Sequence, residues 1–172
     1  MRYTNILSLV LISSIALSAE TAPQTDEPMM VKSQAGIPLG SPFDRAMCAM
    51  DGISVGGRDL VSYRHPGGPV PGTPDFSMEF DGSNYLFASQ SNLDIFREDP
   101  EHYLPAYAGF CAITLALGRI TCPDYSNFKI EDDRLLVFEV TGFTNGRTLW
   151  NTDPEDFRNK ADANFEKLNN QQ

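Results

Sequence analysis

The chain has 172 residues, and its 13 Lys and Arg against 23 Asp and Glu give a formal net charge of -10. That length suits one ordinary domain with a short appendage, and that charge excludes a nucleic-acid-binding surface, which needs clustered cations to neutralise phosphates. Apolar residues at 41% and charged residues at 21% fit a packed core rather than wholesale disorder, and three cysteines are too few for a disulfide-dense miniprotein.

Arg2 precedes the uncharged apolar run Ile6 to Leu17, and Ala16-Leu17-Ser18 puts small residues three and one positions before a cut after Ser18. These three parts make residues 1–18 a secretory signal peptide, with a cut after Ala19 as the near alternative. The run is shorter than the ~20 residues of a membrane-spanning helix, and an uncleaved anchor is the rival reading. Export to a periplasm or to the extracellular space follows, with no stable membrane span after cleavage. Losing Arg2 leaves 12 cations against 23 acids, a net charge of -11.

Residues 19–46 read as a flexible leader, closed by Pro38, Gly40 and Pro42. Residues 47–168 form the domain, and residues 169–172 a disordered tail. No internal repeat is evident in the sequence. Ile53 to Val55 reads as a short strand, Leu60 to Tyr63 as a second apolar piece, and the Pro- and Gly-rich stretch 65–74 as a loop. Phe76, Met78 and Phe80 alternate with Ser77 and Glu79, and Asp81-Gly82 then joins this strand to Asn84–Phe87 as a hairpin. Ser91 is expected to cap a helix over 92–98. Asp99-Pro100 opens a second short helix ending before Pro105. Phe110 to Leu117 is nearly continuous apolar sequence ending at Gly118; helix is the expectation and buried strand the rival. Phe128–Ile130 and Leu135–Phe138 form a second hairpin around Asp132-Asp133. Asp153-Pro154 starts a helix to about Leu168 with Phe157, Ala161, Phe165 and Leu168 on one stripe, expected to dock on a sheet. The result is an α+β fold: a small single domain with two β-hairpins packed against short helices and a C-terminal amphipathic helix.

Gly57-Arg58-Asp59-Leu60-Val61-Ser62-Tyr63, Phe80 to Ser89, Asp99-Pro100-Glu101 with Tyr103 to Ala112, and Ala161 to Phe165 after Trp150 together resemble secreted proteins with a YHS domain. The resemblance covers about residues 52–168. Arg58, Leu60, Ala108 and Phe110 stand where the family pattern has Tyr, Pro, Gly and Tyr. The resemblance implies a small exported α+β domain; shorter YHS domains are associated with heavy-metal binding through cysteine pairs, which this chain lacks.

Cys111 in the signature block is the first candidate site residue, since a thiol at a helix start suits a metal ligand or redox sulfur; its alternatives are a core residue or half of a disulfide. Cys48, Cys111 and Cys122 permit three pairings, each leaving one thiol over, and both Cys111–Cys122 and Cys48–Cys122 are reasonable. His102 is the candidate second ligand of a transition metal ion. Cys48 between Met47 and Met50 offers soft sulfur that favours Cu(I), with core filling as the alternative. Tyr85, Tyr103, Tyr107 and Trp150 are candidates for an aromatic pocket. Asp59 reads as a turn cap or a buried acid. No catalytic motif stands out. The expectation is a monomeric exported binding module taking a metal ion or small ligand near Cys111, with a thiol-redox or accessory role for Cys111 and a purely structural or interaction domain as alternatives.

Overall fold

The computed structural model describes residues 37–38 and 48–170, all within one compact unit. The expected signal peptide, most of the expected leader and residues 171–172 lie outside the described residues. In chain order the elements are strand β1 (Ile37–Pro38), strands β2 (Thr73–Phe80) and β3 (Ser83–Phe87), helices α1 (Gln90–Glu98), α2 (Pro100–Tyr103) and α3 (Ala112–Ala116), strands β4 (Arg119–Ile120), β5 (Asp124–Glu131), β6 (Arg134–Phe138), β7 (Val140–Thr141) and β8 (Thr144–Asn145), and helices α4 (Gly146–Trp150) and α5 (Pro154–Asn169). Single turns of 3-10 helix at Ser54–Gly57, Val61–Arg64 and Ala106–Gly109 complete the α+β fold.

Both expected hairpins are present as antiparallel pairs β2–β3 and β5–β6, and a third, β7–β8, joins them. The turn residues Asp81 and Gly82, and likewise Asp132 and Asp133, all have positive φ, as a two-residue hairpin loop requires. The first helix starts two residues earlier than its sequence suggests. Ser89, not Ser91, is extended and takes the Asn92 N–H on its side chain. Ile53–Val55 is no strand: Ser54–Gly57 closes as a tight turn with Val55, Gly56 and Gly57 at positive φ. The run after Phe110 is helical, but over five residues only, because Gly118 at φ +80° ends it with its N–H on Leu115. The last helix keeps its Asp153 cap and includes Asn169, one residue of the expected tail. Its stripe packs on α3 and the aromatic cluster of Tyr107 and Trp150 rather than on a sheet.

Two apolar cores flank strand β6. Leu135 and Val137 enter a cluster with Val55, Leu60, Tyr63, Phe87 and Phe96; Leu136 and Phe138 enter one with Phe110, Ile113, Leu115, Trp150 and Leu168. Alternate side chains of a strand point to opposite faces, so a strand buried on both must be apolar throughout, as Leu135-Leu136-Val137-Phe138 is.

These cores belong to two structurally equivalent units. Strands β2 and β3 pair as Thr73↔Phe87, Ser77↔Leu86, Met78↔Tyr85, Glu79↔Asn84 and Phe80↔Ser83. Strands β5 and β6 pair as Asp124↔Phe138, Phe128↔Val137, Lys129↔Leu136, Ile130↔Leu135 and Glu131↔Arg134, each position 51 residues further on, with the same register shift. Each hairpin follows a left-handed turn, 54–57 or 106–109. Each unit ends on a related sequence, Phe96-x-x-Asp99-Pro100-Glu101-x-Tyr103 or Trp150-x-x-Asp153-Pro154-Glu155-x-Phe157, in which the Asp caps a helix and the Pro is its first residue. The sequence reading missed this repeat because outside that segment few side chains coincide; backbone geometry carries the rest.

Asp59 anchors the first unit. It is fully buried, and its carboxylate accepts from the N–H groups of Val61 (2.9 Å), Ser62 (3.3 Å) and Ala88 (2.8 Å) and from Asn92 Nδ2 (2.6 Å). It is thus both the buried acid and the turn cap. Asp59→Asn turns an amide against those donors, so urea unfolding should show a loss of about 3 kcal/mol; an unchanged midpoint would contradict this reading of the anchor.

Candidate functional site

Cys111 occupies in the second unit the place that Asp59 holds in the first. The Asp59 N–H donates to Val70 O at 3.0 Å, and the Cys111 N–H to Thr121 O at 3.1 Å. Ser62 Oγ donates to the Asp59 carbonyl at 2.5 Å, and Thr114 Oγ1 to the Cys111 carbonyl at 3.1 Å. Where the Ala88 N–H meets the Asp59 carboxylate, the Glu139 N–H meets Cys111 Sγ at 3.2 Å. Cys111 is 0% exposed, free of any disulfide, and enclosed by its apolar cluster. Its environment is that of a small core residue accepting one backbone donor.

His102 lies elsewhere. Its ring is edge-on to Tyr103, and its Nδ1 is 3.3 Å from Asp133 Oδ2. His102 lines the surface cleft described next, and Cys111 does not. Among the described residues no group of three or more His, Cys, Asp or Glu side chains is placed to hold a metal ion. Cys111 and His102 are thus not brought into such a group among the described residues. Cys48 and Cys122 form a disulfide that closes a span of 74 residues, a pairing compatible with an exported protein. No helix among the described residues is long and apolar enough to cross a membrane.

The concave site is a cleft of about 560 Å³ between the two left-handed turns. One wall carries Ser54 and Val55, the opposite wall Ala106 to Gly109, and Tyr125 lies between them. The turn ends of both hairpins, Asp81 with Ser83 and Asp132 to Arg134, complete the rim. Two of the four expected pocket aromatics, Tyr85 and Tyr107, line this cleft; Tyr103 does not, and Trp150 is fully buried in the second core. Tyr125, Val55 and Arg134 escaped sequence analysis, since each becomes a cleft residue only through the pairing of distant turns.

Three non-glycine residues of the walls, Val55 (φ +55°), Tyr107 (φ +59°) and Ala108 (φ +54°), hold left-handed backbone. That conformation is costly for a branched side chain and gathers at functional sites when the surroundings enforce it. The enforcing contacts are visible. A Cβ on Gly56 would stand 3.0 Å from the Tyr125 ring, so glycine permits that approach. Tyr63 Oη donates to Tyr125 O at 2.6 Å, and Tyr125 Oη to Gly109 O at 3.4 Å. Tyr107 Oη donates to Asp162 Oδ1 at 2.9 Å, and the Arg134 guanidinium, 2.8 Å from that same carboxylate oxygen, lies 4.9 Å over the Tyr107 ring.

Burial pushes the Tyr125 phenol up to about 12 and raises those of Tyr63, Tyr85 and Tyr107 as well. For Asp162 burial works upward, but hydrogen bonds from Arg134 and Tyr107 outweigh it and hold its carboxyl below the usual range. A phenol whose folded pKa exceeds its unfolded value of about 10 favours the fold below pH 10 and loses that contribution as the pH rises through the folded value. Stability should therefore fall as the pH rises above about 10, with the 295 nm phenolate signal of these tyrosines delayed beyond the ordinary phenol value; a full phenolate signal at pH 10 from the folded protein would contradict it.

Thiol reactivity gives a second expectation. Alkylation of the native, unreduced protein should add no label, and denaturation without reductant should add one, at Cys111, as mass spectrometry reads directly. Loss of the disulfide should lower stability by about 4 kcal/mol, the chain-entropy value for a loop of this size.

No curated protein and no solved structure matches the chain. The YHS domain family matches residues 66–107, from the loop before β2 to Tyr107 in the second left-handed turn. The matched segment contains the first hairpin, α1 and α2, whereas Cys111 and the second hairpin lie beyond it. Residues 66–107 of the chain thus carry the match to the YHS domain.

Proposed function

We propose that the protein is an exported binding module whose ligand is a small molecule held in the cleft between the two left-handed turns. The observation that carries this reading is the cleft itself. Its size falls within the ~300–1,000 Å³ of small-molecule sites, and its walls are built from enforced left-handed residues on two separate loops. Export rests on the signal-peptide pattern of residues 1–18, and the Cys48–Cys122 disulfide agrees with it. A metal site at Cys111 with His102 has less support, because the thiol is enclosed and the imidazole is placed beside Asp133. A thiol-redox role needs an accessible thiolate, and the burial of Cys111 weighs against it.

The test is a ligand-observed NMR screen of small aromatic fragments of both charges and none. Fragments should bind the native protein, and Ser83→Trp, which puts an indole at the cleft rim, should remove that binding without changing the thermal midpoint. Cys111→Ala should leave it unaltered. Zinc or Cu(I) uptake lost in Cys111→Ala, with no fragment bound, would favour the metal reading instead.

A further inference from the structure

The first hairpin leaves one strand edge open, and the second unit shows how the same edge is closed. A two-residue loop, Asp81-Gly82, joins β2 to β3, so the flanking Phe80 and Ser83 share the first pair of ladder hydrogen bonds. Bonding alternates along an antiparallel pair. The N–H and C=O groups of Phe80 and Met78 therefore point towards β3, and those of Glu79 and Ser77 point away from it. Among the described residues β2 pairs with β3 alone, and no other backbone hydrogen bond joins it. The outer edge of β3 is different, being bridged at Asn84 to Ile53. In the second unit the residues 51 positions on are Phe128 and Ile130. The Phe128 carbonyl accepts Arg147 Nη1 at 3.0 Å, and both side chains pack against the first core. Ser77 and Glu79 are exposed instead.

The side chains along this edge select its partner. Phe76, Met78 and Phe80 are half-buried on the face that leans on the first core, so an added strand meets apolar surface on that side. Asp75 and Glu79 alternate with them and are exposed, and neither forms an ion pair among the described residues. An added strand therefore meets negative charge on the other side. A second copy pairing edge to edge would bring acids against acids, which is destabilising, and the net charge of -10 on each chain adds to that repulsion. In strand addition the backbone hydrogen bonds supply affinity, and alternate side chains supply specificity. From these features we infer that β2 takes an extended segment of a partner protein as an added strand. Its cationic side chains lie beside Asp75 and Glu79, and its intervening apolar side chains beside Met78 and Phe80.

Fluorescence anisotropy with a labelled peptide of four Lys-Val repeats tests this on the mature protein. The peptide should bind, weaken with added salt, and bind about fivefold more weakly to Asp75→Asn/Glu79→Gln. Ser77→Pro removes an N–H that faces away from β3, so it should abolish binding while the thermal midpoint holds. The same peptide methylated on every backbone nitrogen tests that contact on the unaltered protein, and it should not bind. A Glu-Val peptide binding equally well would overturn the inference. So would Lys-Val binding that survives backbone methylation, or no Lys-Val binding at millimolar peptide. A dimer in sedimentation analysis that Ser77→Pro dissolves would overturn it too, since the edge would then serve a second copy.

Discussion

The geometry of the domain depends on how Tyr125 is held between two left-handed turns. Its ring packs against Gly56, where no Cβ intrudes, and its hydroxyl reaches the Gly109 carbonyl. Its own carbonyl receives the Tyr63 hydroxyl, so the start of β5 is tied to the first unit through both ends of one residue. The strained residues Val55, Tyr107 and Ala108 are therefore not isolated irregularities. They are the inner faces of two turns whose separation a single aromatic ring fixes, and the cleft is the space that remains beside it. Rigid spacing of this kind lets a site meet its ligand without first ordering its own loops.

The two equivalent units give this arrangement its logic. Each places an acceptor after its left-handed turn: a carboxylate with four donors in the first, a thiol with one in the second. Cys111 keeps the backbone connections of that position while giving up its charge, and the second unit surrounds it with apolar contacts instead. Buried charge is tolerated only where hydrogen bonds answer it, so Asp59 and its partners must act together, whereas the thiol needs little. The signature cysteine is in this light a core element of the second unit, and the cleft lies at the seam between the units.

Much of the fold was legible in local sequence. Asp81-Gly82 and Asp132-Asp133 announced the hairpins, Asp99-Pro100 and Asp153-Pro154 the helix starts, and Phe157, Ala161, Phe165 and Leu168 the buried stripe. The left-handed turns were not, because Val55 and Tyr107 have side chains that ordinarily avoid that backbone, and only tertiary contacts hold them there. Ile53 to Val55 accordingly looked like a strand. The site was half legible: Tyr85 and Tyr107 were named as pocket aromatics, but Tyr125 and Arg134 enter the cleft only by long-range packing. Cys111 and His102 drew attention by residue type, which carries no information about distance, and the fold sends one to the core and the other to the rim.

Backbone amide spectra of Gly56→Ala compared with the native protein test most directly whether Tyr125 couples the two turns. The added Cβ stands against the Tyr125 ring, so chemical shifts should move at residues 54–57, at Tyr125 and at residues 106–109 on the far wall. Changes confined to residues 54–57 would contradict the account, since the two walls of the cleft would then be set independently.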